Sequence, residues 1–142
     1  MSDVFEILKT TNYPMDFQPG ATVQDLAAFE NQNAIRIPKE YKNWLMFSNG
    51  GEILVPGSQF YSIDNSDDDS LIFHNSDDYR HKFSLPSSLY IVGRTNFGDL
   101  LCLDIMSGEF VQWDHETDEE FLRWKSMYEY VNDELQSYSE EN

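Results

Sequence analysis

One stretch organises the chain: IRIPKEYKNWLMFSNGG, from Ile35 to Gly51. It predicts a single helix together with both of its ends. Pro38 suits the first helical position, because its missing N–H has no intrahelical acceptor there and its φ is already fixed. Four residues recur at helical spacing and predict one buried face: Tyr41, Trp44, Leu45 and Ser48. The run Asn49-Gly50-Gly51 predicts the end of the helix, since Asn and Gly tolerate the left-handed conformation that closes a C-terminus.

Length and charge limit what the chain can be. Its 142 residues and 16.6 kDa predict one domain over residues 1–142. Lys and Arg number 9 against 26 Asp and Glu, which gives a net charge of −17. Such a surface repels phosphate backbones and anionic lipid head groups, so neither nucleic acid nor membrane is an expected partner. It attracts basic proteins and speeds their association, although solubility alone also accounts for high acidity.

The expected location is the cytoplasm. A single cysteine, Cys102, excludes an internal disulfide and is compatible with a reducing compartment. The N-terminus is acidic and lacks the apolar core of a signal peptide. No apolar run approaches the ~20 residues of a membrane span.

Helices are predicted on the N-terminal side of the central one. Residues 2–9 predict a short helix. Thr22 and Asp25 have the spacing of a variant capping box, which predicts the start of a second helix. The apolar stripe of that helix comprises Val23, Leu26 and Phe29.

Beyond Gly51 the periodicity becomes that of strands. Strands are predicted over residues 60–63, 89–92, 100–104 and 110–113. Thr117 and Glu120 have the spacing of a second capping box, so a helix is predicted from Thr117 through Leu135, with a frayed tail over 137–142. These patterns predict an α+β fold: a single domain with N-terminal helices packed on a mostly antiparallel sheet, a C-terminal helix, and a core over about residues 22–135.

Two blocks of this sequence resemble the SUKH superfamily. The first block is Ile37-Pro38-Lys39-Glu40-Tyr41-Lys42 followed by Asn49-Gly50-Gly51, with Glu30 in the preceding helix. The second has two glycines, an apolar strand and Val-Gln-Trp-Asp-His over residues 111–115. The positions that carry the resemblance are Pro38, Tyr41, Trp44, Asn49, Gly50, Gly51, Gly93, Gly98, Asp99 and Trp113.

The SUKH superfamily includes many bacterial toxin-immunity proteins and a fungal regulator of cell-wall assembly. The resemblance therefore implies an immunity protein, without enzymatic activity or cofactor, that binds and neutralises a cognate toxin. A monomer is the favoured oligomeric state. Many such toxins are nucleases with basic clefts, which an acidic protein would complement. A regulatory or scaffold module is the alternative that the fungal members imply.

The residues offer few candidates for catalysis or metal binding. His115 lies between Asp114 and Glu116, and these three side chains would meet at a metal only through a tight turn, because neighbouring strand residues point to opposite faces. A turn histidine paired with acids is the simpler interpretation, and no metal is expected. A small hydrolase that uses His115 with Asp114 or Asp99 is a third hypothesis. Cys102 lies in an apolar strand and is predicted to be buried and unreactive.

Acidic residues form two clusters, and aromatic residues accompany the first. Loops on a rigid sheet often carry recognition, and aromatic groups ringed by charge suit interface anchors. The residues predicted to contact a basic toxin are Asp64, Asp67, Asp68, Asp69, Tyr61, Phe73, Asp77, Asp78, Tyr79, Asp114 and Glu116. Simple solvation of these charges is the alternative.

Overall fold

A computed structural model describes residues 4–63 and 83–141 of the chain. Within these ranges the fold is α+β, as the sequence predicts, and all strand pairs are antiparallel. The helices are α1 (Val4–Thr10), α2 (Val23–Asn33), α3 (Lys39–Phe47) and α4 (Met127–Glu141). The strands are β1 (Met15–Phe17), β2 (Gly51–Ile53), β3 (Ser58–Phe60), β4 (Leu89–Arg94), β5 (Leu100–Asp104), β6 (Phe110–Asp114) and β7 (Glu119–Trp124).

The sheet follows the order of the chain from β1 to β7, so each strand pairs with its neighbours in sequence. β5 lies inside this meander, and its Leu100, Leu101, Cys102 and Leu103 are all buried. A strand covered on both faces is predicted by its nearly continuous apolar sequence. The predicted burial of Cys102 is confirmed, since none of its surface is exposed.

Helix α3 places its aromatic face in the core, as its periodicity predicts. Tyr41, Trp44 and Leu45 are buried, and the Trp44 ring lies 5.2 Å from that of Phe60 on β3. Both ends of the helix differ from the prediction by small shifts. Pro38 is the N-cap residue and not the first helical one, and Ser48 caps the C-terminus in an extended conformation with φ −150°.

The two glycines after α3 therefore have a different role from the predicted helix cap. Gly50 and Gly51 do have positive φ, of 87° and 118°, but they lie beyond the cap, and Gly51 is the first residue of β2. A Cβ on Gly50 would lie 2.9 Å from the backbone nitrogen of Ser62. These positions need glycine because the backbone conformation is left-handed and the neighbouring chain is close.

Helix α2 begins as predicted and is tied to α3 by one carboxylate. Thr22 and Asp25 form the reciprocal hydrogen bonds of a capping box. Glu30 accepts a hydrogen bond from the Ile37 backbone N–H at 2.7 Å and forms an ion pair with Lys42 at 3.2 Å. Glu30 thus fixes the turn between the two helices.

The largest departure from the sequence prediction lies between residues 117 and 126. The predicted helix from Thr117 is wrong, because residues 119–124 form β7 and α4 begins only at Met127. The actual turn is closed by Asp118, which has a φ of 59° and accepts a hydrogen bond from the Trp113 indole N–H at 3.0 Å. Helix α4 then continues to Glu141, through most of the predicted frayed tail.

Helix α4 closes the core against both the sheet and the other helices. The Tyr130 hydroxyl lies 2.6 Å from that of Ser58, and its ring lies 5.0 Å from the Phe110 ring. The Tyr128 hydroxyl donates to the backbone carbonyl of Glu40 at 3.1 Å. Over the described ranges, every helix is too short or too polar to cross a membrane.

Candidate functional site

Two turns meet at one end of the sheet, and between them they carry Gly98, Asp99, Asp114 and Glu116. In an antiparallel meander, the turn after β4 and the turn after β6 lie at the same end. The first carries Gly98 and Asp99, and the second carries residues 114–118. We refer to residues 114–118 as the β6–β7 turn.

Asp114 shapes the β6–β7 turn. Its Oδ1 accepts hydrogen bonds from the backbone N–H groups of Glu116 at 2.8 Å and Thr117 at 3.2 Å. Its carbonyl accepts from the Asp118 N–H at 2.9 Å. An aspartate that bonds to backbone two and three residues on is a common device for fixing a turn. These hydrogen bonds make the turn rigid, so the backbone positions from which its acidic side chains extend are fixed.

His115 joins this turn to the one before β5. Its Nδ1 lies 2.7 Å from Asp99 Oδ1, and its backbone N–H donates to the same oxygen at 3.2 Å. The other Asp99 oxygen accepts from Gln112 Nε2 at 2.7 Å. A Cβ on Gly98 would lie 3.2 Å from the imidazole ring, so glycine lets the ring lie flat against the turn.

The Asp99–His115 pair shifts both pKa values toward the charged forms. The hydrogen bond to Asp99 raises the pKa of His115, against the opposing effect of burial. Burial of Asp99 opposes its ionisation, but the hydrogen bonds from His115 and Gln112 outweigh it and lower the pKa of the carboxyl. The pair is thus an ion pair over the mildly acidic range, with the imidazole 34% and the carboxylate 17% exposed.

Asp99, Asp114 and His115 offer ligand atoms within 4.8 Å of one another, close enough to hold a metal ion. Glu116, which adjacency in sequence places beside His115, is not part of this group. Both oxygens of Asp99 and Oδ1 of Asp114 already accept hydrogen bonds from turn amides or side chains. The geometry therefore supports a structural role, in which these side chains hold the two turns together through hydrogen bonds.

The same pair resembles part of a hydrolytic site, in which a carboxylate orients a histidine. Across the described residues, His115 has no hydrogen bond to a serine, threonine or cysteine. Cys102 is buried inside β5. Among the residues that the structure describes, the arrangement supplies an oriented imidazole without a serine, threonine or cysteine that it would activate.

The β6–β7 turn and the start of β7 present more negative charge than nearby cations neutralise. The carboxylates are Asp114, Glu116, Asp118, Glu119 and Glu120. Arg123 is bound to Glu120 at 2.9 Å and to Glu109 at 2.6 Å, and its hydrogen bond lowers the pKa of Glu120. Glu116 and Glu119 are exposed and make no side-chain hydrogen bond in this part of the chain. This surface is the candidate site for a basic partner.

Some residues predicted to bind a partner are not on this surface. Tyr61 is buried, with 7% of its surface exposed, and its hydroxyl accepts from Arg94 Nε at 2.8 Å, so its ring belongs to the core and is not a surface anchor. The rest lie outside the described residues: Asp64, Asp67, Asp68, Asp69, Phe73, Asp77, Asp78 and Tyr79. Asp114 and Glu116 are the members of the predicted set that the structure places together.

Sequence reasoning missed two exposed apolar side chains beside this acidic surface. Phe121 and Leu122 on β7 are 59% and 48% exposed. Both residues lie within the helix that the sequence predicts from Thr117 through Leu135. The signal for an exposed strand is that Phe121 and Leu122 stand between charged residues, Glu120 and Arg123, shortly after a turn.

The chain matches a known protein family over most of its length. The model of the SMI1 / KNR4 family (SUKH-1) matches residues 20–133, well over half of the chain. The matched region begins just before α2 and ends within α4, so it includes the Asp99–His115 pair and the acidic surface. No curated protein matches the chain significantly.

Proposed function

This chain belongs to the SMI1 / KNR4 family (SUKH-1), and from that premise we propose that it is an immunity protein. It binds a basic toxin domain, with a nuclease as the preferred candidate, and neutralises it without catalysis. The family is associated with protein partners, which favours binding over chemistry.

The observation that carries this proposal is the unneutralised acidic surface on the β6–β7 turn. Glu116 and Glu119 are exposed, whereas Arg123 is already bound to Glu120 and Glu109. Carboxylates held on a rigid turn keep their potential in place, so they steer a basic partner without a large ordering cost. The net charge of −17 adds a long-range attraction to the same partner.

The test first asks whether a large toxin gene lies directly upstream of this one, and then uses the C-terminal domain that such a gene encodes. We expect the two purified proteins to form a stoichiometric complex in size-exclusion chromatography with light scattering. We also expect co-expression to protect cells from the toxin. Absence of a complex with that domain would refute the immunity function.

A charge-matched pair of variants tests whether the acidic surface matters. Glu116→Gln with Glu119→Gln should slow association by about three- to tenfold at low salt, because these charges face the partner. The control is Glu6→Gln with Glu141→Gln, which removes the same charge from exposed positions on α1 and α4. Equal association rates for the two double variants would show that only net charge acts.

The Asp99–His115 pair favours one second candidate, a small hydrolase. Its test is turnover of generic ester and phosphodiester substrates by the purified protein. A rate that His115→Ala abolishes would support the hydrolase and contradict a purely binding role. We expect no such rate.

A further inference from the structure

Strand β7 is an open edge of the sheet. It follows β6 as the last strand in the order and is six residues long. Over the described ranges, its backbone groups make no hydrogen bond to any element other than β6. The opposite edge, β1, has only three residues and follows Pro14, which cannot donate to a ladder. Of the two edges, β7 is the one that can pair with another strand.

The irregularity in β7 exposes an aromatic ring at this edge. Gln112 pairs with Leu122, whereas the next residue, Trp113, pairs with Glu120. Phe121 is therefore an extra residue on β7, as in a β-bulge, which changes the direction of a side chain. Phe121 and Leu122 are 59% and 48% exposed, so two consecutive large apolar residues are accessible on the strand whose outer edge is open.

The charge around these two side chains selects the kind of partner. Glu119 directly precedes the pair, and Glu116 lies on the adjoining turn. Arg123 is held by Glu120, Glu109 and Asp104 and offers no free positive charge. A second copy of this chain would bring another net charge of −17 to the edge, which disfavours self-pairing. A segment with basic residues would be attracted.

We propose that the outer edge of β7 is a docking site for an extended, basic segment of the partner protein. The segment adds as an eighth strand, with main-chain hydrogen bonds to β7. Its apolar side chains contact Phe121 and Leu122, and its basic side chains lie toward Glu119 and Glu116. This inference rests on the proposed function and names the surface that it uses.

The experiment compares the full chain with Phe121→Ser/Leu122→Ser and with a matched control, Met106→Ser. Met106 is 83% exposed in the turn after β5, at the opposite end of the sheet from the β6–β7 turn. The probe is the same toxin domain as in the test of the proposed function, and circular dichroism checks that each variant is folded. We expect the double variant to weaken binding at least about tenfold, since apolar anchors often dominate interfaces, and the control to bind like wild type.

Hydrogen–deuterium exchange provides the independent readout. We expect the amides of β7 that point away from β6 to become protected when the toxin domain binds, because strand addition pairs them. If wild type and double variant bind equally and these amides exchange as before, the docking site is wrong while the immunity function stands. If wild type does not bind the toxin domain, both proposals fail. If the chain alone is a dimer that the double variant dissociates, a second copy occupies the edge and the inference is overturned.

Discussion

Trp44 has no exposed surface and contacts the rings of Phe17, Phe47 and Phe60. Trp44→Ala should lower the free energy of unfolding by about 3–5 kcal/mol, because it removes a large ring and leaves a cavity. Urea denaturation measures this loss. Met106→Ala, at an exposed site, should change stability by no more than about 0.5 kcal/mol. A loss below about 1 kcal/mol for Trp44→Ala would contradict its place in the core.

A comparison of Gly50 with Gly108 distinguishes two reasons why a position requires glycine: a positive φ and a close approach of another backbone segment. Both have positive φ, of 87° and 83°, so alanine at either should cost about 1–2 kcal/mol. A Cβ on Gly50 would also lie 2.9 Å from Ser62 N, whereas a Cβ on Gly108 would meet only Pro38 at 3.6 Å. Gly50→Ala should therefore destabilise by about 1 kcal/mol more than Gly108→Ala in thermal or urea unfolding. Equal losses would mean that the close approach to Ser62 does not matter.

The Asp99–His115 pair predicts a pH dependence with a definite sign. The pKa of His115 is raised and that of Asp99 is lowered, so the pair's contribution to stability is complete between the ordinary pKa values of aspartate, about 3.9, and histidine, about 6.5. It is lost as pH rises through the folded histidine value. An NMR titration of the imidazole should give a midpoint above about 6.5. Asp99→Asn should move the midpoint down. A midpoint that Asp99→Asn leaves unchanged would contradict the ion pair.

At the scale of elements, the chain contains two Thr-x-x-acid patterns with different outcomes. Thr22 caps α2 through a side-chain hydrogen bond to Asp25 N, whereas Thr117 lies in the β6–β7 turn. Thr22→Ala should cost about 1 kcal/mol, the usual value for a lost N-cap. Thr117→Ala should cost less than about 0.5 kcal/mol. Thermal unfolding of the two variants measures both losses of stability. A larger loss for Thr117→Ala than for Thr22→Ala would contradict the turn at Thr117.

The error at Thr117 shows what local sequence patterns miss. Phe121 and Trp124 happen to continue the helical spacing of Tyr128, Val131 and Leu135, although the first two lie on β7 and the other three on α4. Periodicity gives no sign of the hydrogen bond from the Trp113 indole N–H to Asp118. That bond closes a β-hairpin where the sequence pattern predicts a helix N-cap. α2, α3 and β4 to β6 were predictable because each contains its own repeating signal.

The candidate site was predictable only in part for the same reason. Asp114 and Glu116 stand out as acids in the sequence, but the approach of Asp99 to His115 depends on two turns that lie 16 residues apart. Topology supplies that information, since alternate turns of an antiparallel meander share one end. The exposed edge at Phe121 is not predictable from the sequence either, because the pattern predicts a helix over the residues that form β7. Strand β1 was missed because three residues are too few to show alternation.

For the whole molecule, the net charge of −17 predicts that salt stabilises the fold. Like charges on a compact surface repel one another, and added salt screens that repulsion. The melting temperature should rise between about 10 mM and 300 mM NaCl, where the Debye length falls below roughly 10 Å. KCl should act like NaCl if screening is the cause. A melting temperature that falls over this range would show that attractive ion pairs, such as those of Arg123, outweigh repulsion.

Helix α4 is the last element of the chain, and it reaches back to Glu40 through Tyr128, across 88 residues. During synthesis on the ribosome, the seven strands emerge before this helix does. Until it arrives, Phe5 lacks its edge contact with Tyr128, and Phe110 lacks its contact with Tyr130. A nascent chain that stops before Met127 therefore exposes aromatic side chains of the core. This exposure makes it a substrate for chaperones and prone to aggregation.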